Sequence, residues 1–169
     1  MSFSTKEVIL DYCRLCNIEI SEETAEMFET LSDELMNFNS HTNVTALKTK
    51  EDIAVKHFAD SLAVLKYDLI KKEAKVIDIG CGAGFPGLPV KMLRPDISIT
   101  FVDSTAKKLK FTNSVAELFG MSNVETCPGN SNARSEHGIY HVHVKADVNA
   151  VHPCLEEVGD LLYWRQQLC

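Results

Sequence analysis

The chain has 169 residues, 45% of them hydrophobic and 24% charged, with a formal net charge of −7. Those proportions exclude a disordered or collagenous chain, and a globular chain of this length buries roughly two-thirds of its unfolded surface without a disulfide framework. The acidic balance argues against a broad basic face that grips nucleic acid, because such binding draws its affinity from Lys and Arg neutralising phosphates.

The N-terminus places Lys6, Glu7 and Asp11 among its apolar residues, so it lacks the apolar core of a signal peptide. No run of about eighteen apolar residues occurs, and the expected setting is the cytoplasm, with no membrane partner. A first helix is predicted over Thr5 to Cys16, where Val8, Ile9, Tyr12, Cys13 and Cys16 recur at helical spacing. Cys13 and Cys16 form a C-x-x-C, but no second pair completes a zinc site, and buried helix-face thiols are the expected reading. A second helix opens at the cap Ser21, with Glu22 and Glu23 in its first turn and Met27, Phe28, Leu31, Leu35 and Met36 as its stripe. Asn37 to Asn43 is rich in Asn, Ser, Thr and His and reads as a loop. A third helix, capped near Thr49, carries Ile53, Phe58, Leu62 and Leu65 on one face. On it, His57, Asp60 and Ser61 either brace a neighbouring loop or face a substrate, against the plainer reading of hydrogen-bonded or solvated helix residues.

At Lys75 the period changes. Lys75 to Ile79 is a short β-branched run that ends in a glycine cluster, and a helix follows through Met92. Ile97 to Val102 is a second strand ending in Asp103, Lys107 to Phe119 a helix with Gly120 at its C′ position, and Asn123 to Cys127 a third strand. This alternation implies a right-handed parallel sheet of the α/β class. Beyond Pro128 the composition shifts: all eight Phe precede residue 120, whereas His137, His141, His143, His152 and Trp164 come late. A strand is expected at Tyr140 to Val144. Too little chain follows it for the further strands of a full doubly wound sheet, so the sheet is expected to be incomplete. The expected organisation is a helical region over 1–72, a partial cofactor-binding α/β domain over 73–145 and a divergent tail over 146–169. The late histidines lack carboxylate or thiol partners at convincing spacing, and no metal is expected.

The glycine cluster lies between a strand and a helix, where a ligand can approach the backbone closely. Asp103, at the end of the next strand, has the offset of an acidic residue that accepts hydrogen bonds from ribose hydroxyls. Counting from Gly80 and Gly82, bulky Phe85 stands where the third glycine of a dinucleotide fingerprint belongs, so the loop is Gly80-x-Gly82-x-Gly84 followed by Phe85-Pro86-Gly87. Asp78, just before the loop, repels a pyrophosphate and suits an ammonium group. S-adenosylmethionine, with an adenosine and no phosphate, fits these residues better than a nicotinamide dinucleotide.

The run from Asp78 to Gly87, with Asn43-Val-Thr-Ala46 and His57-Phe-Ala-Asp-Ser-Leu62 before it and Val102-Asp-Ser104 and Lys107-Lys108 after it, resembles the glucose-inhibited division protein B family. That likeness covers about residues 1 to 127. It implies a Rossmann-like class I methyltransferase fold and a small-subunit ribosomal RNA methyltransferase that moves a methyl group from S-adenosylmethionine to guanine N7. By the same resemblance Gly80 and Phe85 contact the cofactor, Asp103 holds its ribose, and Ser135 and Glu136 match a segment near the adenine. Beyond His137 the family pattern is lost, and Lys145-Ala146-Asp147 stands where an Arg-Ala segment is expected, which suggests a truncated or frame-shifted C-terminus.

The cofactor-binding set is thus Asp78, Gly80, Gly82, Gly84, Phe85, Asp103, Ser135 and Glu136, with no catalytic residue assigned. Guanine N7 carries a lone pair and no proton, so its methylation needs alignment rather than a general base. The expected partner is small-subunit ribosomal RNA or an assembling particle, not DNA, and the expected state a monomer. The rival readings are a catalytically inactive cofactor-binding remnant and a nicotinamide-dependent oxidoreductase.

Overall fold

The computed structural model describes residues 3–129 and the backbone of 141–144. Helix α1 spans Thr5–Cys16, the predicted range; the Ser4 hydroxyl accepts the Glu7 N–H at its start, and Asn17 ends it at φ 55°. The Ile18 N–H then returns to the Cys13 carbonyl at 2.8 Å, the contact that closes a left-handed helix end. Helix α2, Glu22–Thr42, begins as expected at the Ser21 cap but runs through the segment predicted to be a loop. Its polar residues are satisfied in place. The Ser40 and Thr42 hydroxyls donate to the Asn37 and Phe38 carbonyls, and Phe38 packs on Phe111 with ring centroids 5.0 Å apart. Asn39 is buried and serves the next turn: its Oδ1 accepts the Thr45 N–H and its Nδ2 donates to the Leu47 carbonyl. A composition that looks loop-like is here a helix whose side chains bond its own carbonyls and its successor.

The third helical segment starts where predicted, at a Thr49 cap, but it does not keep one pitch. It passes from α3, Lys50–Ile53, through a π-helical stretch, Ala54–Ala59, to α4, Asp60–Leu62, and a 3₁₀ turn, Ala63–Tyr67. Lys50 fastens its start to α2 by pairing with Glu29 and Asp33, and Glu29 also accepts the Lys6 N–H of α1.

The sheet comprises β1 (Lys75–Ile79), β2 (Ser98–Asp103), β3 (Val124–Pro128) and β4 (His141–Val144), with α5 (Gly87–Leu93) and α6 (Ala106–Leu118) in the connections. All three predicted strands of the first half form within a residue or so of their expected bounds. Gly120, at φ 58°, takes the expected place after α6. The strands are parallel in the order β3-β2-β1-β4. Chain order reverses between β1 and β4, and in open α/β sheets the crevice at such a switch point, outside the carboxyl ends of the strands, is where ligands bind. Val142 pairs with Ile77, so the last predicted strand lies beside the first.

One hydrophobic core runs from the N-terminal helices into the sheet. Ile9, Phe28, Leu31, Leu35, Ile53, Phe58 and Leu62 join Ile99, Phe101 and Phe111 in it, while Ile77, Ile79 and Val102 form a smaller cluster. The alternation along β1 and β2 divides the two sets between the faces of the sheet, and a parallel sheet must bury both.

The turn before β2 is held by a fork. Arg94 meets both carboxylate oxygens of Asp96 at 2.8 Å and also donates to the Ile70 and Lys71 carbonyls, while Asp96 accepts the Glu73 N–H. Chiefly through the Arg94 hydrogen bonds, the Asp96 carboxyl is held well below the usual carboxylate range, and the desolvation that opposes this is outweighed. A depressed native pKa adds stability that is fully present above the unfolded value near 3.8 and is lost as pH falls through the lower native value. Asp96→Asn should therefore cost about 1 kcal/mol at pH 7, a figure kept small because the pair is partly hydrated. The gap between wild type and variant in urea unfolding should narrow as the buffer is taken below pH 3.8. A gap that stays constant to pH 2 would separate Asp96 from the acid response.

Candidate functional site: the glycine loop and its cavity

The loop after β1 is built by backbone bonds to β2 and by two carboxylates. Gly80 and Cys81 both donate to the Val102 carbonyl, at 2.7 and 3.2 Å. Gly82 donates to Asp103 Oδ2 at 2.9 Å, and Thr105 donates to Asp103 Oδ1 at 2.8 Å. Gly87, opening α5, donates to Asp78 Oδ2 at 3.0 Å. Gly80, Gly82 and Gly84 all have positive φ, at 70°, 60° and 87°, a region that costs other residues roughly 1–2 kcal/mol. The Cys81 thiol between them is fully buried, and burial, reinforced by the Asp78 and Asp103 charges, pushes its pKa up. It is a packing group and not a nucleophile.

Above this loop opens a cavity of about 510 Å³. One wall is the loop itself: Gly80, Gly82, Ala83, Phe85 and Pro86. The other comes from the N-terminal region: Thr45 and Leu47 from the turn after α2, then Lys56, His57, Asp60 and Ser61. Lys108, in the first turn of α6, lies at its margin. The volume is within the range of roughly 300–1,000 Å³ seen for small-molecule sites.

The expected cofactor residues separate into two groups. Gly80, Gly82 and Phe85 line the cavity; Asp78, Gly84 and Asp103 do not. Asp78 and Asp103, 1% and 6% exposed, spend hydrogen bonds on the loop's own amides, so their visible work is to shape the loop. Gly84 provides close packing, since a Cβ there would come within 2.5 Å of the Leu88 side chain and 3.2 Å of the Thr112 hydroxyl. Ser135 and Glu136 lie outside the described residues, as do the tail and two of the four late histidines, His137 and His152. Of His141 and His143 only the backbone is described, in β4. Among the described residues no group of three metal-ligating side chains gathers. Cys13 is a buried helix-face thiol, as expected, with its pKa pushed up to about 11 by burial, while Cys16 is only partly buried.

The His57 ring stacks on Phe85, with centroids 4.5 Å apart and planes 6° from parallel, and its Nε2 lies 2.8 Å from the Thr45 hydroxyl. The sequence places His57 on a helix near the loop but gives no sign of Thr45 as its partner, because the turn at 44–47 is set by Asn39 and not by a local motif. Among the described residues no helix is long and apolar enough to cross a membrane.

Gly87 bears on the site although it is outside the cavity. A Cβ there would strike the Phe101 ring and come within 2.8 Å of Asp78 Oδ2 and 2.9 Å of Ile99 Cδ1. None of these neighbours can withdraw, since Phe101 and Ile99 are core and Asp78 is held by the same residue's N–H. Gly87→Ala should destabilise the chain by about 2 kcal/mol. Gly80→Ala, where a Cβ meets nothing within 4 Å, should cost only the strain of its φ. A Gly87→Ala unfolding midpoint equal to that of wild type would contradict the packing at Gly87.

A parallel sheet in this order, with a glycine loop and a cavity at its switch point, defines a Rossmann-like α/β protein. The family model described as rRNA small subunit methyltransferase G matches residues 24–159. The chain belongs to that family. It is 40% identical over 114 residues to ribosomal RNA small subunit methyltransferase G of Clostridium perfringens strain 13, covering 68% of this chain and 48% of the relative. The proteins of the same name from Desulforamulus reducens and Alkaliphilus metalliredigens are 42% and 34% identical over 106 and 125 residues, covering 63% and 74% of this chain and 44% and 52% of the relatives. The chain spans about half the length of the curated relatives it matches. The family match continues past His137, where the sequence reading places the loss of the family pattern. Among solved structures, coclaurine N-methyltransferase aligns at TM-score 0.45 and 15% identity, over 77% of this chain and 46% of that one.

Proposed function

We propose that the chain binds S-adenosylmethionine in this cavity and supplies the cofactor-binding half of a methyltransferase acting on guanine N7 of small-subunit ribosomal RNA. One observation carries the choice of cofactor. The loop amides of Gly82 and Gly87 are taken by Asp103 and Asp78, and two buried carboxylates stand behind the loop. A pyrophosphate needs free loop N–H groups and a positive field, and this loop offers fewer of the first and the reverse of the second. A sulfonium or ammonium ligand with an adenosine and no phosphate suits such a donor set. An ionised carboxylate has about four acceptor positions, so Asp103 can take a ribose hydroxyl in addition to its two amides.

Bound S-adenosylmethionine supplies an electrophilic methyl group. The chain's own contribution is orientation: Gly80 and Gly82 let the ligand approach the backbone, Phe85 floors the cavity, and the wall from Thr45 to Ser61 faces the side from which an acceptor base enters. Guanine N7 needs no proton removed, so the described residues have only to align it and exclude water. Membership of the rRNA small subunit methyltransferase G family supports the substrate class, with the free RNA or the assembling particle in the cytoplasm as partner and the chain as a monomer. Within this reading, residues 1–72 form the acceptor-side cover and 73–145 the cofactor-binding domain.

Calorimetry on the 169-residue chain with S-adenosylhomocysteine and with NAD tests the cofactor. Binding of the first and not the second is expected; binding of NAD alone would overturn the reading. Transfer of a labelled methyl group to small-subunit particles, but not to duplex DNA, tests the substrate. Cofactor binding without transfer would make the chain a binding remnant.

A further inference from the structure

We infer that His57 is a positioning residue that couples the acceptor-side wall of the cavity to the cofactor loop, holding Phe85 by its ring and Thr45 by its nitrogen. The inference rests on the cofactor reading above and assigns the device that keeps that loop in its binding shape.

His57 makes two directed contacts with separate parts of the cavity. Its ring lies parallel to Phe85 at 4.5 Å, and its Nε2 is 2.8 Å from Thr45 Oγ1. Thr45 is itself fixed, because its N–H donates to Asn39 Oδ1 on α2 and its hydroxyl oxygen accepts the Leu47 N–H. From Asn39 through Thr45 and His57 to Phe85 there is therefore an unbroken line of contacts that crosses the cavity from one wall to the other. The hydroxyl has a proton to donate and a second lone pair, so it can serve His57 Nε2 as donor or as acceptor.

Phe85 is gripped from a second direction by Phe58, the next residue after His57, at 5.7 Å and 43°. Successive residues of an α-helix diverge by about 100°. Here both rings reach one target from the π-helical stretch Ala54–Ala59, a local change of pitch of the kind frequently found at functional sites. Phe58 is fully buried and part of the core, and His57 is half-buried at the cavity. The pair divides the work: Phe58 anchors Phe85 to the core, and His57 sets the orientation of the ring where the ligand meets it. Phe85 N–H bonds the Cys81 carbonyl, so the residue that His57 and Phe58 hold is tied through its backbone to the loop that carries Gly82 and Gly84.

The test uses the full chain with His57→Ala, His57→Phe and Thr45→Val, read by calorimetry with S-adenosylhomocysteine and by hydrogen exchange at the amides of 80–87 in the absence of ligand. His57→Ala should weaken binding about three- to tenfold, the range spanned by loss of one aromatic pair, and should speed exchange in the loop. His57→Phe keeps a ring against Phe85 and should restore both readouts most of the way, whereas a histidine that bonds the ligand directly would not be rescued by phenylalanine. Thr45→Val should give a smaller change of the same kind. Unchanged loop exchange in His57→Ala would overturn the inference, as would weakened binding that His57→Phe does not rescue. If the wild-type chain binds no S-adenosylhomocysteine, the cofactor reading fails, and the exchange comparison still decides the role of His57.

Discussion

Phe58→Ala should lower the stability of the chain by about 4 kcal/mol, the cost of deleting a fully buried aromatic side chain and leaving a cavity. Phe58 has no exposed surface and stands where three units meet. Its ring contacts Phe28 of α2 edge-on at 5.2 Å and Phe85 of the glycine loop at 5.7 Å. Collapse cannot fill the space cheaply, because Phe28 belongs to a long helix fixed by its own stripe and Phe85 to a loop fixed by two carboxylates. In a chain of this size the loss corresponds to a fall in Tm of roughly 10 °C. The same variant should bind S-adenosylhomocysteine less tightly, since Phe85 loses its anchor. Leu15→Ala, at a side chain 85% exposed, is the control and should stay within about 0.5 kcal/mol of wild type. A Phe58 variant as stable as that control would show that the helical region and the sheet do not share a core.

Phe58 also shows what a sequence can and cannot reveal. Its place on the buried face of a third helix is legible from its spacing with Ile53 and Leu62, because a core stripe repeats with the helical period. That the helix widens to a π form at Ala54–Ala59 is not legible, since no residue type demands it and the gain comes from the Phe85 ring on another element. The same division holds elsewhere. Ser21 and Thr49 announce helix starts because a cap is a local bond between a hydroxyl and an amide three residues on. Asn37 to Thr42 misleads because its polarity serves partners such as Thr45 and Leu47, whose proximity only the fold creates. At the site, the glycine spacing points to the loop that forms one wall of the cavity, and Asp103 to a carboxylate that accepts an amide of that loop. The cavity's second wall depends on packing α2 and the third helical segment against the loop, and no spacing within either segment encodes it.

Asp103 is where these two kinds of information meet, and it carries the largest expected effect on binding. From sequence its offset after Gly80 points to a ribose contact; in the structure both its oxygens are bonded to amides, those of Gly82 and Thr105. A carboxylate can do both. Its removal should then act twice, once by deleting a charge-assisted hydrogen bond to the ligand, worth roughly 1.5–3 kcal/mol, and once by freeing the loop amide that it holds. Asp103→Ala should weaken S-adenosylhomocysteine binding by about 3 kcal/mol, on the order of a hundredfold. Asp103→Asn separates the two effects from simple loss of volume. An amide of the same shape has one oxygen to offer and must turn its NH₂ toward the other backbone donor, so it should bind nearly as poorly as alanine. Ligand-free unfolding should show a smaller penalty in both variants, because the loop is also held by the bonds of Gly80 and Cys81 to the Val102 carbonyl. Calorimetry and urea unfolding on the same samples give both quantities. Full affinity in Asp103→Asn would confine Asp103 to the loop scaffold and remove it from contact with the cofactor.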